Sequence, residues 1–407
     1  MRILVLAQYY DPVPVPKPAE VARWLAAEGH QVSVLTGMPN YPSGILAQGY
    51  RLVPFMRERR DGLLVRRVFE LPYHGKSASG RMLNYGSFMV AGALAGSVIA
   101  RPDAVYVWHP PLNVGVIASL LTVWRGVPFV YDVQDIWPDS ALMSGMLTEG
   151  RTAALLRRVE TWTYGHAAHI LVVTDGAKAN LVAKGVPASK VSVLPHWADP
   201  ACFMPPADAE RSWARGFLGR DGRFIVTFAG NLGLLQGLDV LLDAAKRTLS
   251  SPRIAFRIVG DGADRQRLEQ KSTLLGLTNV QFLGARPATD MPAVFAESDA
   301  LLVQLRGGPL SDLIVPSKTQ AYLAAGRPII AAIDGPAARI VREAGAGVVV
   351  PADDPDRLAA AAEELSHLSP ERLSEMGSRG RAYAEQHFLR DDVMRQIEQR
   401  LRVVARK

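Results

Sequence analysis

Cysteine is almost absent: Cys202 is the single one in 407 residues. An intrachain disulfide is thereby excluded, and a reducing compartment is expected. Also lacking is any run of the roughly 18–20 apolar residues that a helix needs to span a bilayer. The nearest, GSFMVAGALAGSVIA at 86–100, is too short and is expected as a buried helix. The opening MRILVLAQYY has one Arg, a short apolar run and no small-residue cleavage site, so it reads as a first strand rather than a signal peptide. Membrane contact would then be peripheral.

Apolar residues, by contrast, make up 48% of the chain, enough for large buried cores. A length of 407 residues exceeds one ordinary core, so two domains are expected. The net charge of +7 favours anionic partners: nucleotide, phospholipid or nucleic acid.

One stretch organises the rest. DALLVQLRGGPLSDLIVPSKTQAYLAAGRPIIAA, at 299–332, reads as a buried strand (300–305), a glycine-bearing loop, a short helix and a second strand (328–332). Pro316 and Ser317 mark the helix start, with Ser317 able to cap, and Gly326 followed by Pro328 marks its end. A loop entering a helix N-terminus offers free N–H groups and the positive end of a dipole, and Lys318 adds a full charge. A phosphate suits that place; an ordinary β–loop–α unit with a surface lysine is the alternative.

In the first half, strand 3–7, the loop DPVPVPKP, helix 19–28 and strand 32–36 form a β–α–β unit that opens a doubly wound parallel sheet. Lys17 falls on the loop at the strand's carboxyl end, as a ligand contact or a solvated lysine. Between 50 and 68, Arg51, Arg57, Arg59, Arg60, Arg66 and Arg67 interleave with Leu52, Val53, Phe55, Met56, Leu63 and Leu64. That mixture suits an anionic membrane surface or, equally, a solvated hairpin. Strand 104–108 ends at His109, and strand 129–133 carries Asp132 and runs into Asp135. Three ionisable groups at neighbouring strand ends point to a site better than any one of them. A stretch with Pro200, Pro205 and Pro206 marks a linker at 199–220.

The second half repeats the alternation. Strands 224–229, 255–259 and 280–283 run into Gly230-Asn231-Leu232-Gly233, Gly260-Asp261-Gly262 and Gly284-Ala285-Arg286. Each glycine turn is weak by itself, since tight β–α turns use glycine for its φ freedom. Leading into one domain edge together with Ser317-Lys318, they carry more.

With these motifs in order, GHQVSVLT (29–36), FAGNLGLLQGLDVLLDA (228–244), IVGDG (258–262), FLG (282–284) and VPSKTQAYLAAGRPII (315–330), the chain resembles the retaining GT-B glycosyltransferases of family 4. Specifically, it is similar to their bacterial capsule, O-antigen and colanic-acid branch. The resemblance implies an α/β fold of two Rossmann-like doubly wound domains facing a cleft. An acceptor-binding domain would take 1–198, the linker 199–220, a nucleotide-sugar-binding domain 221–380, and 381–407 a helix crossing back. It implies donor binding through Lys318, Ser317, Gln320, Gly230, Asn231, Gly260, Asp261, Arg286, Arg306 and Lys17. Asp135 and His109 would be the catalytic pair, with no metal, no cofactor and no nucleic-acid partner. The family's basic loop positions fall on Asn231 and Gln236, its paired glutamates on Leu313 and Ala321, and its catalytic-site histidine on Gln134. Lys318 and Gln320 are the expected substitutes in the donor site, and Asp135 is retained in the other.

The expected activity is transfer, with retention, of an N-acetylhexosamine or deoxysugar from a nucleoside-diphosphate (UDP-type) donor. The expected acceptor is polyprenyl-diphosphate-linked, the setting cytoplasmic at the inner face of an anionic cell membrane. A nucleotide-sugar epimerase of the same fold, or a non-catalytic nucleotide-sugar-binding scaffold, are the alternatives.

Overall fold

The computed structural model describes residues 1–407 apart from 74, 76, 144–146, 199, 204–206 and 407. The chain divides into two compact units, Met1–Leu194 with Asp391–Lys407, and Pro195–Arg390. Both are Rossmann-like α/β units, together the GT-B fold.

The first unit holds strands β1 (Arg2–Leu6), β2 (Gln31–Gly37), β3 (Phe55–Arg60), β4 (Leu63–Val68), β5 (Ala104–His109), β6 (Phe129–Val133), β7 (His169–Val172) and β8 (Val191–Val193). Their order is β3-β4-β2-β1-β5-β6-β7-β8, all parallel except β3, which runs antiparallel to β4. Strands such as AVYVWH (β5) and FVYDV (β6) are buried throughout, as a parallel sheet covered on both faces requires. The order reverses between β1 and β5, and ligands of such sheets gather beyond the carboxyl ends at that reversal. The final helix, Arg390–Ala405, buries Val393, Met394, Ile397 and Leu401, and its Glu398 meets His30 at 2.9 Å.

The second unit holds β9 (Phe224–Ala229), β10 (Ile254–Val259), β11 (Val280–Gly284), β12 (Ala300–Gln304), β13 (Ile329–Ala332) and β14 (Gly347–Val350), in the parallel order β11-β10-β9-β12-β13-β14. Alternate residues feed two cores: Ile225 and Ala229 with Leu301 and Val303 on one face, Val226 and Phe228 with Ala300 and Leu302 on the other. Here the order reverses between β9 and β12.

Several expectations need correction. The stretch 199–220 is not an open linker: it holds the helix Asp208–Phe217, packed on the helix Met291–Ala296. Arg211 and Arg215 anchor it to the buried Glu297 at 2.7 and 2.8 Å. Of its prolines, Pro205 and Pro206 lie outside the described residues, as does Asp199. Residues 195–198 group with the second unit, and 381–387 belong to the helix Pro370–His387 of that unit, so the first unit regains the chain only from Asp391. Lys17 opens the helix Lys17–Ala27 instead of lying on the loop before it. The apolar segment 86–100 falls mostly in a longer helix, Ala78–Val98, which is buried on one face only: Phe88 is core, while Val90, Leu94 and Val98 are all exposed. In the hairpin of β3 and β4, Arg67 is fully buried, held by Glu58 at 2.7 Å and by the carbonyls of Gly37 and Asp11, and Leu63 is core. Only part of that basic stretch therefore faces solvent. Among the described residues no helix is long and apolar enough to cross a membrane.

Candidate functional site

In the second unit, the loops after β9, β10 and β11 are laced together by their backbones. Gly230 N–H donates to Val259 O at 2.9 Å, Gly260 N–H to Gly284 O at 2.8 Å, and Leu232 N–H to Asp261 O at 2.9 Å. Gly230 and Gly260 have φ of +144° and +148°, a region that favours glycine. A Cβ on Gly260 would lie 1.8 Å from Gly230 O, so backbone meets backbone with no room for a side chain. Gly260→Ala is expected to lower stability by about 3 kcal/mol through strain and overpacking, read as a lower denaturant midpoint with an unchanged slope.

Onto this edge comes the helix Lys318–Ala325, entered from the loop after β12. Tyr322 fixes it: its hydroxyl accepts from Ala229 N–H at 2.9 Å and donates to Ala229 O at 3.1 Å. One turn earlier, on the same face, Lys318 reaches the neighbouring loop. Its Nζ donates to Gln236 Oε1 at 2.8 Å, sits 3.7 Å from the Phe228 ring centroid, and would be 3.1 Å from a Cβ on Gly230. Burial pushes the amine down to about 7. A titratable amine thus stands beside the loop after β9, where Asn231 and Gln236 carry no charge, at the reversal point of the sheet.

The remaining expected donor residues are placed less uniformly. Ser317 precedes the helix in helical conformation and caps nothing with its side chain, against expectation, because its φ and ψ are already helical. Arg306 N–H donates to Leu235 O at 2.9 Å, and its side chain packs on Gly237, so it borders the loop that Lys318 faces. Asn231 lies against Gly233 and Gly262, and the Asp261 carboxylate accepts from Gly262 N–H at 2.8 Å. Arg286 is engaged elsewhere: Asp290 binds it at 2.8 Å, and Trp213 and Phe217 of the helix Asp208–Phe217 stack under it at 4.8 and 5.3 Å. Gln320 is buried, with its Oε1 unpartnered, so it is not presented at the surface in place of the family glutamate that Ala321 replaces.

In the first unit, His109 and Asp135 do lie at the carboxyl ends of paired strands, with His109 opposite Val133 in register. His109 is 1% exposed, edge-on to Tyr131 at 5.6 Å, and burial pushes its imidazole down to about 3, so it is neutral. Asp132 is buried in β6, accepting from Tyr106 Oη and Gln134 Nε2, each at 2.5 Å, and burial raises its carboxyl. Lys17 is drawn towards Asp132, yet burial dominates and lowers its amine to about 8. Asp135 is half-buried, with its carboxyl also raised by burial. Of the three, Asp135 is the one a substrate can reach.

Sequence reasoning missed a further group at the reversal between β1 and β5. Glu70, 1% exposed, accepts on Oε1 from Gln8 Nε2 and Asn40 Nδ2 at 2.9 Å and from Asn84 Nδ2 at 2.8 Å. Asn113 Nδ2 continues the chain to Gln8 Oε1 at 2.8 Å. Glu70 Oε2 has no partner, lies where a Cβ on Gly37 would be, and burial lifts the carboxyl to about 7. In the unfolded chain this group ionises near 4.5, so folding holds a proton that the unfolded chain has lost. Stability should therefore fall as pH rises from 4.5 to about 7, by about 3 kcal/mol, and level off above. Glu70→Gln mimics the neutral form and should flatten that segment of the stability–pH curve, leaving the variant more stable than the parent at pH 8. A parallel curve would mean that Glu70 is ionised in the fold.

Comparisons with known proteins agree with this architecture. Residues 17–197 match the description "Glycosyl transferase 4-like domain" and residues 223–367 "Glycosyl transferases group 1". WcaI of Escherichia coli K12, named for colanic acid biosynthesis glycosyl transfer, is 31% identical over 80% of this chain and 82% of its own. WbjE of Pseudomonas aeruginosa, named as a glycosyltransferase, is 27% identical over 79% and 80%. The crystal structure of Anabaena HepE in complex with UDP superposes with a TM-score of 0.76 at 18% identity, covering 99% of this chain and 100% of that one.

Proposed function

Since the chain belongs to the GT-B glycosyltransferases of the bacterial polysaccharide branch, we propose that it moves a sugar, with retention, from a UDP-type nucleotide donor to a polyprenyl-diphosphate-linked acceptor. The work would take place at the inner face of the cell membrane, without a metal. The observation that carries the donor half is Lys318, held at a helix start beside Gly230 on the edge where the second sheet's order reverses. The leaving group of this reaction is a nucleoside diphosphate. An ammonium at a helix start stabilises the charge that builds on it as the glycosidic bond to phosphate breaks. Retention without a stable covalent adduct then depends on holding the acceptor hydroxyl close to the anomeric carbon. Asp135, reachable at the carboxyl end of β6, is the group assigned to orient the sugar or that hydroxyl. His109 is buried and neutral against Tyr131.

The test is a panel of nucleotide sugars with and without a polyprenyl-diphosphate-linked acceptor. Acceptor-dependent release of nucleoside diphosphate, with the product keeping the donor's anomeric configuration, is the expected result. Inversion of the anomeric centre would remove the retaining mechanism. Binding of every donor without turnover would remove the transferase reading of the site.

A further inference from the structure

Lys318 owes both its position and its charge to a neighbour that carries none. Gln236 closes the single turn Leu234–Gln236 after β9, and the backbone around it is fixed on both sides. Its N–H donates to Gly233 O at 3.0 Å, Arg306 N–H donates to Leu235 O at 2.9 Å, and Gln304 Nε2 donates to Gly237 O. Gly237, at φ +62°, ends the turn. The turn is therefore tied to the end of β12, the strand whose loop leads on to Lys318. From that anchored place the Gln236 side chain presents Oε1 to Nζ at 2.8 Å.

The amine's other neighbours bring it no opposite charge. Phe228, fully buried on β9, sets its ring 3.7 Å from Nζ. Gly230 has no side chain, and a Cβ there would stand 3.1 Å from Nζ, so that flank is kept open. Among the described residues no carboxylate reaches the amine. Asp261 accepts from Gly262 N–H, Asp239 is taken by Arg267 and Lys271, and Arg306 lies along Gly237. Burial lowers the amine to about 7, and against it the Gln236 oxygen and the Phe228 ring face favour the charged form.

An amide suits that position for a physical reason. A carboxylate at 236 would hold the ammonium but cancel the charge that a phosphate needs. A second amine would repel it, and an apolar side chain would leave it to lose its proton. A neutral oxygen fixes the ammonium and leaves its charge for the ligand.

We propose that Gln236 is a positioning residue for the donor's diphosphate, holding the Lys318 ammonium over Phe228 and beside Gly230 without neutralising it. The inference rests on the donor-site reading of Lys318 and goes further, since it assigns the neighbour that keeps this lysine a phosphate ligand.

Calorimetry with UDP between about pH 5.5 and 9 tests it, each profile taken relative to Lys318→Ala so that ionisation of UDP itself cancels. In the parent, affinity should fall above pH 7 as the amine loses its proton. Gln236→Leu removes the oxygen at similar size. Its fall should begin about one pH unit lower, with binding about tenfold weaker at pH 7.5 and within about twofold of the parent at pH 5.5. Gln236→Glu should behave in the opposite sense. Its amine stays charged, so the profile should be flat to about pH 9 and lie about tenfold below the parent at pH 6. A loss in Gln236→Leu that is the same at every pH would mean that the residue only braces the turn, and overturns the proposal. So does a Gln236→Glu variant that binds UDP as tightly as the parent at pH 6. Coinciding profiles for the parent and Lys318→Ala would sink the donor-site reading itself. A loss in Lys318→Ala beside a Gln236→Leu variant identical to the parent would sink this inference alone.

Discussion

Asp135→Asn is expected to lower turnover by about two to four decades, the scale on which a positioned acid or base contributes to a proton-coupled step. Of the three ionisable groups that end β5 and β6, His109 is sealed in the core and Asp132 is consumed by Tyr106 and Gln134. Asp135 alone combines partial exposure with a carboxyl that burial has raised. Asparagine keeps its size and one accepting oxygen but removes the charge and the basicity. Because the residue belongs to the first unit and the donor-binding loops to the second, affinity for UDP should stay within about twofold of the parent. The measurement is steady-state kcat and KM for donor, with the thermal midpoint as the control for folding. Turnover like the parent's would remove Asp135 from the reaction.

Lys318→Ala is expected to weaken binding of a nucleoside diphosphate by about ten- to a hundredfold, the loss of one charge-assisted hydrogen bond of about 1.5–3 kcal/mol. Binding of the bare nucleoside should change far less, since it presents no phosphate to Nζ. The lowered amine adds a second signature. At about 7 the group is half neutral at physiological pH, and only its protonated form pairs with phosphate. Binding above pH 7 must therefore take up a proton, and affinity should fall as pH rises, by up to about tenfold per unit. The alanine variant should lack that slope. The sign also holds for stability: an amine lowered by folding costs most at low pH, and the cost fades as pH rises from about 7 towards the ordinary 10.5. Titration calorimetry at several pH values separates these effects. Equal losses for nucleoside and diphosphate would mean that Lys318 only braces the loop through Gln236.

Both predictions begin from residues that the sequence already singled out, and the reason is local. The strand 300–305, its loop and the helix start at Lys318 were legible because apolar runs, glycine and proline act within a few residues of themselves. The observed β12 and the helix Lys318–Ala325 depart from that reading only at their ends. Strand ends at His109 and Asp135 were legible for the same reason. Whether those side chains are reachable was not, because the packing of Tyr131 over His109 joins separate strands.

The Glu70 cluster marks the limit most clearly. Its members stand at 8, 40, 70, 84 and 113, each an unremarkable polar residue in its own neighbourhood. Only the order β4-β2-β1-β5 brings them together, and only desolvation in that company lifts the carboxyl to about 7. Composition and periodicity by themselves determined the α/β alternation, the two units and the cationic helix start, since backbone preferences and hydrophobic spacing operate over a turn or a strand. Tertiary structure decided which faces met. It buried Arg67 and Gln320 while leaving Val90, Leu94 and Val98 in water, because burial depends on what lies across the sheet, and that partner is many residues away along the chain.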